Sequence, residues 1–140
     1  MKVVMSVPEL ETFLDREFPE MHQGGKTMFV EHVQDGEIVM RFKADERHLR
    51  PGGTISGPSQ FALADVASFV AVLAHVGPVA LAVTTSANIN FLRKPSPGDL
   101  VATARVLKLG RRLVVIDCEI AGGTDGQLVS HAVATYSLPG

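Results

Sequence analysis

The stretch Ser56-Gly57-Pro58-Ser59-Gln60-Phe61-Ala62-Leu63-Ala64-Asp65-Val66-Ala67-Ser68-Phe69-Val70 decides the architecture. Pro58 suits a first helical turn, where its missing N–H costs nothing. The apolar residues that follow cover every side of a helical wheel. The predicted helix stops at Gly77-Pro78. A helix apolar nearly all round must be enclosed by the rest of the fold. Its apolar run, about residues 61–74, is interrupted by Asp65 and falls short of the roughly 20 residues that cross a bilayer. The expectation is therefore a core helix, with no membrane partner.

The rest of the chain supplies the enclosure. Ser6-Val7-Pro8-Glu9 reads as a helix N-cap and first turn, and Leu10, Phe13 and Leu14 form one apolar stripe before Pro19. Met28 to Val33 and Glu37 to Lys43 flank an Asp35-Gly36 turn, which predicts a hairpin. After the long helix, strands are predicted over about 80–92, 99–108, 112–121 and 127–137, separated by Gly- and Pro-containing turns. The order is helix, two strands, buried helix, four strands. An antiparallel sheet wrapped around one helix satisfies it, which places the chain in the α+β class.

Composition narrows the function. At 140 residues the chain fits one domain, 1–140, of which 1–25 is an N-terminal helix and loop. A net charge of -2 argues against a general polyanion-binding surface, so nucleic acid is not an expected partner. Cys118 stands alone and cannot form an internal disulfide, and the Met1-Lys2-Val3-Val4-Met5 start lacks a signal-peptide apolar run. A cytoplasmic location is expected. The five histidines are scattered without metal-ligand spacing, so neither a metal nor another cofactor is expected. Cys118 reads as strand packing. Gly24-Gly25-Lys26-Thr27 lacks the earlier Gly of a phosphate loop.

Asp65 is the only charged residue between Pro58 and Ala74. In apolar surroundings it should be buried, and a buried carboxylate needs a cation or hydrogen-bond donors; no Lys or Arg lies within one turn, so the partner must come from elsewhere. It is either structural, pairing with an arginine across an interface, or a catalytic carboxylate. The N–H groups of Gly57 and Ser59 lie at the positive end of the helix dipole and suit a carbonyl oxygen. Gly57 and Asp65 are about 12 Å apart along a helix, too far to touch one reacting group from the same chain. If they cooperate, the site combines two subunits.

Gly57 to Ala67, then VTTSANINFLRKP (83–95) and Gly98-Asp99-Leu100, resemble the hotdog-fold acyl-CoA thioesterases of the phenylacetate-pathway type, within the 4-hydroxybenzoyl-CoA thioesterase superfamily. The similarity covers about residues 28–138. It implies a curved sheet around a central helix, a homodimer with a continuous sheet, often a pair of such dimers, and sites at the dimer interface. It also implies an acyl-CoA substrate. Carried over residue by residue, the catalytic carboxylate falls on Asp65 and the carbonyl-polarising N–H on Gly57. Thr84 falls where relatives place a hydroxyl that positions water. Where the family has His-Gly-Gly this chain has Ser56-Gly57-Pro58, and Arg50 replaces an asparagine.

For the phosphates of coenzyme A the candidates are Arg93, Lys94, Lys108, Arg111 and Arg112, all near turns. Arg50 and Ser56 join the substrate-binding candidates, with Arg50 also able to pair with Asp65 across the interface. The expected function is hydrolysis of an acyl-CoA to free acid and CoA. The alternative is a non-catalytic hotdog module that binds an acyl ligand. A hydratase would want a histidine where Ser56 stands.

Overall fold

A computed structural model describes residues 1–22, 24–79 and 81–139. Two helices, α1 (Val7–Glu17) and α2 (Gly57–Val76), accompany six strands: β1 (Met28–Gln34), β2 (Glu37–Phe42), β3 (Val83–Phe91), β4 (Leu100–Leu109), β5 (Leu113–Gly122) and β6 (Leu128–Ser137). The strands form one antiparallel sheet in the order β1-β2-β4-β5-β6-β3. This is the α+β hotdog arrangement that the resemblance implies. The expected third strand begins at Ala80, which lies outside the described residues; the strand itself starts at Val83.

The sheet reaches α2 through small side chains. Ala64, Ala67, Ala71 and Ala74 on the helix are buried, as are Ala102, Ala104, Ala132 and Ala134 on β4 and β6. Methyl against methyl lets the helix axis come close to the sheet, and larger residues such as Ile38, Met40 and Phe42 of β2 fill the flank. At 20 residues α2 is long and apolar enough to cross a membrane by length and composition. The expectation that length would exclude a span is therefore corrected. Packing within the sheet is what marks α2 as a core helix.

The enclosure is incomplete. Pro58, Phe61, Ala62, Asp65, Val66 and Phe69 recur at three- and four-residue intervals, and all are exposed or half-buried. One stripe of α2 is thus left uncovered by its own sheet. Asp65 lies on that stripe and is half-buried, where full burial was expected from the apolar wheel. Strand β3 closes one end of the sheet with its outer edge unpaired in the chain, and nearly all of its residues are exposed.

Both helices begin as their sequences dictate. Ser6 and Glu9 form a reciprocal capping box on α1, and the Ser56 hydroxyl caps α2. At the other end of α2, buried His75 joins the helix to the β1–β2 hairpin. Its Nδ1 lies 2.7 Å from the Ala71 carbonyl, and its Nε2 accepts from the Gly36 N–H at 2.8 Å. The second bond requires the proton on Nδ1. Gly36 takes φ 82°, the left-handed conformation that the Asp-Gly turn supplies. We predict that His75→Ala lowers unfolding free energy by about 2 kcal/mol, from a lost buried ring and a hairpin N–H left to solvent. Urea denaturation followed by circular dichroism measures it.

Candidate active site

Asp65 receives its hydrogen bonds from the sheet. The Tyr136 hydroxyl on β6 lies 2.6 Å from Asp65 Oδ1 and 2.8 Å from the Asp65 carbonyl oxygen. The Thr84 hydroxyl on β3 donates to the same Oδ1 at 3.2 Å. Thr84 and Tyr136 are register partners on neighbouring strands, which is why both reach one oxygen. Burial raises the Tyr136 pKa well above the usual phenol range, and the Asp65 carboxylate beside it raises it further. The phenol therefore stays a proton-bearing donor at any working pH. The partner expected from elsewhere in the chain is this pair of hydroxyls.

Sequence reasoning named Thr84 and missed Tyr136. The available signal was its position: Ala132, Ala134 and Tyr136 alternate on the inner face of β6, and a buried tyrosine hydroxyl needs a polar partner. Asp65, Thr84 and Tyr136 share a cavity of about 370 Å³ whose other walls are apolar.

Gly57 opens onto a different cleft, of about 760 Å³, lined also by Arg50, Gln60, Phe91, Arg93 and Lys94. The first-turn donors can be accounted for one by one. Ser56 N–H goes to the His48 carbonyl at 2.8 Å, Pro58 has none, and Ser59 N–H goes to Ser56 Oγ at 3.2 Å. That leaves Gly57 N–H, for which no described residue supplies an acceptor. Ser59, expected as a second donor for a ligand, is committed to the cap. The Ser56 hydroxyl is likewise engaged, lying 2.9 Å from Ser59 Oγ. A Cβ at residue 57 would sit 3.2 Å from the Phe91 ring, so this glycine also lets β3 come close to the helix start.

The cations do not gather within one chain. Arg93 and Lys94 follow the end of β3 and line the Gly57 cleft, where Arg93 Nη1 donates to Gln127 Oε1 at 2.7 Å. Arg111 and Arg112 sit in the β4–β5 turn. Because Leu113 and Val83 both pair with Ser137, that turn lies at the opposite end of the sheet, beside Thr84. The eight residue steps of β3 separate the two pairs by about 26 Å. Lys108 lies with Arg111 at the second end. Cys118 faces the core, and burial, reinforced by Asp117 and Glu119, pushes its thiol up to about 12, as strand packing requires. Lys26 pairs with Glu11 and Asp15 and so anchors α1.

A long helix wrapped by a curved antiparallel sheet defines the hotdog fold, and here the helix carries a hydroxyl-bonded carboxylate on its flank and an N–H at its start. The model of the thioesterase superfamily matches residues 52–129, and the chain belongs to that superfamily of thioester hydrolases. It is 47% identical to a candidate thioesterase from Silicibacter, whose crystal structure superposes with a TM-score of 0.90 over 100% of this chain and 96% of that one. It is 30% identical to a candidate esterase of Pseudomonas aeruginosa over 97% of this chain and 100% of the relative. Human acyl-coenzyme A thioesterase 13 is 29% identical over 74% of each chain.

The bond between Asp65 and Tyr136 has a measurable strength. A double-mutant cycle of Asp65→Ala and Tyr136→Phe, read by urea denaturation, should give a coupling of about 1 kcal/mol. Additive single-mutant effects would show that the hydroxyl and the carboxylate do not support one another.

Proposed function

We propose that the protein hydrolyses acyl-CoA thioesters at a site shared by two subunits of a homodimer. The observation that carries this reading is the separation of the two reactive elements. Asp65 and Gly57 lie on one helix but open onto different cavities, so neither cavity holds both. The exposed stripe of α2 and the unpaired edge of β3 offer a surface on which a second copy closes the enclosure. If the two β3 strands pair antiparallel about a twofold axis, the Gly57 end of one chain meets the Asp65 end of the other. The same pairing brings Arg93 and Lys94 of one subunit towards Arg111 and Arg112 of the other, which reassembles the cation group for the CoA phosphates. A relative named acyl-coenzyme A thioesterase supports the substrate class. Within this reading the protein works in the cytoplasm, where acyl-CoA is made and used.

In the mechanism Asp65, oriented by Tyr136 and Thr84, takes a proton from water as the water oxygen attacks the thioester carbonyl carbon. The carbonyl oxygen gains negative charge and is held by the Gly57 N–H at the positive end of α2. Collapse of the adduct expels the CoA thiolate, which takes the proton and leaves as thiol, and the free acid remains. Covalent attack by Asp65 itself is the variant of this scheme in which water enters second.

Asp65→Asn should lower thiol release from acyl-CoA about a hundredfold or more while leaving the fold intact. Undiminished turnover would overturn the role of Asp65. The two-subunit site has its own test. Gly57→Pro removes the N–H at the helix start; because its Cβ meets the Phe91 ring at 3.2 Å, the fold and dimer of the variant are checked by circular dichroism and sedimentation. Each single variant should be inactive, and a remixed 1:1 population should regain about a quarter of wild-type activity, because each hybrid dimer holds one intact site. No recovery after confirmed subunit exchange would place both elements within one chain.

The phosphate-binding reading is checked through KM. Arg93→Glu with Lys94→Glu should raise KM for an acyl-CoA about tenfold and leave KM for an acyl-N-acetylcysteamine thioester, which lacks the nucleotide, within about twofold.

A further inference from the structure

The cavity that holds Asp65 is walled by a segment outside the hotdog core. Beside Val66 and Phe69 of α2 and Val83 of β3, Phe18 and Met21 complete it. Phe18 is the C-cap of α1, and Met21 lies in the 3-10 turn Pro19–His22 that follows. Three rings lead away from the carboxylate. Tyr136, bonded to Asp65, lies 6.1 Å from Phe69, and Phe69 meets Phe18 edge-on at 5.3 Å. The hydroxyls of Tyr136 and Thr84 thus mark the reacting end, and Phe18 stands at the other.

This wall is held in place. Lys26 Nζ donates to Glu11 at 2.5 Å and to Asp15 at 3.2 Å, and His22 Nε2 lies 2.9 Å from the same Asp15 oxygen. The other Glu11 oxygen accepts the Val30 N–H of β1 at 2.5 Å. The chain on both sides of Met21 is therefore fastened to α1 and the sheet. A fixed wall sets a size limit, whereas a loose one would yield to the ligand.

We infer that Phe18 and Met21 determine acyl specificity by closing the far end of the acyl pocket, and that the substrate is an apolar acyl chain or ring of on the order of ten heavy atoms. The cavity of about 370 Å³ exceeds twice the roughly 150 Å³ that encloses one benzene. At about 30 Å³ per water-sized group it has room for on the order of ten such groups. A palmitoyl chain exceeds it. The inference rests on the thioesterase reading for the chemistry and on the walls that one chain supplies, Phe18 and Met21, for the size limit.

Non-hydrolysable S-alkyl-CoA thioethers, from S-butyl to S-hexadecyl, separate the two in isothermal titration calorimetry. For the wild-type protein each methylene that enters the pocket should tighten binding by up to about fourfold, with a plateau near S-decyl. Met21→Phe should move the plateau to a shorter chain and leave S-butyl affinity within about twofold. Met21→Ala and Phe18→Ala should move it to a longer one. Because Phe18 also packs on Phe13 at 6.2 Å, the filling variant Met21→Phe keeps the test independent of any loss of folding in Phe18→Ala. An unchanged plateau in folded Met21 variants, an equal loss of affinity at every chain length, or no thioether binding at all overturns the inference. Wild-type thiol release is measured in parallel. A shifted plateau without any thiol release supports the pocket and overturns hydrolysis. Thiol release with an unshifted plateau does the reverse.

Discussion

The close approach of α2 to the middle of the sheet is the constraint on which the rest depends. Alanine methyls on α2, β4 and β6 set the distance, while Ile38, Met40 and Phe42 of β2 fill one flank. A larger residue at Ala67, Ala71 or Ala104 would push the helix away and force the neighbouring side chains off their rotamers. The curvature fixes where β3 ends up, and β3 brings Thr84 to the side of α2 that carries Asp65. Packing of the smallest side chains thus positions the most polar one.

That position also makes the carboxylate affordable. A fully buried Asp would cost several kcal/mol unless paired with a cation in good geometry. Asp65 sits where the sheet stops covering the helix, so one face meets solvent and the other accepts from two hydroxyls. Neutral donors orient a carboxylate without neutralising its charge. An arginine partner would hold it ionised.

Much of the fold was legible because it is written in local signals. The N-cap signals, the long apolar helix, the Asp-Gly hairpin and the Gly- and Pro-marked turns gave both α-helices and the six strands to within a few residues, and not the 3-10 turns. The carboxylate was legible because it breaks an apolar pattern. Tyr136 was not, since its partner is distant in sequence and nothing local marks the contact. The cations were grouped by their nearness to turns, yet strand register sends Arg93 and Lys94 to one end of the sheet and Arg111 and Arg112 to the other. The segment 1–25 read as a helix and loop, and its part in the Asp65 cavity emerged only when α1 was seen docked on β1. In these last misses the deciding information is a contact between segments distant in sequence, which periodicity along the chain does not encode.

At the helix start, few donors stay open. Ser56 caps the helix and takes up the Ser59 N–H, and Pro58 removes a second donor outright. A helix start with several open N–H groups would bind an oxygen in more than one place, at the reacting carbonyl or at a phosphate. Here Gly57 N–H is left without an acceptor among the described residues, with the dipole of a 20-residue helix behind it. One donor beside a cleft lined by Arg50, Arg93 and Lys94 suits the division of work in the proposed function, in which the N–H takes one oxygen and the cations meet the phosphates. Ser56 and Pro58 thus narrow the helix start to a single point of contact and do not close it.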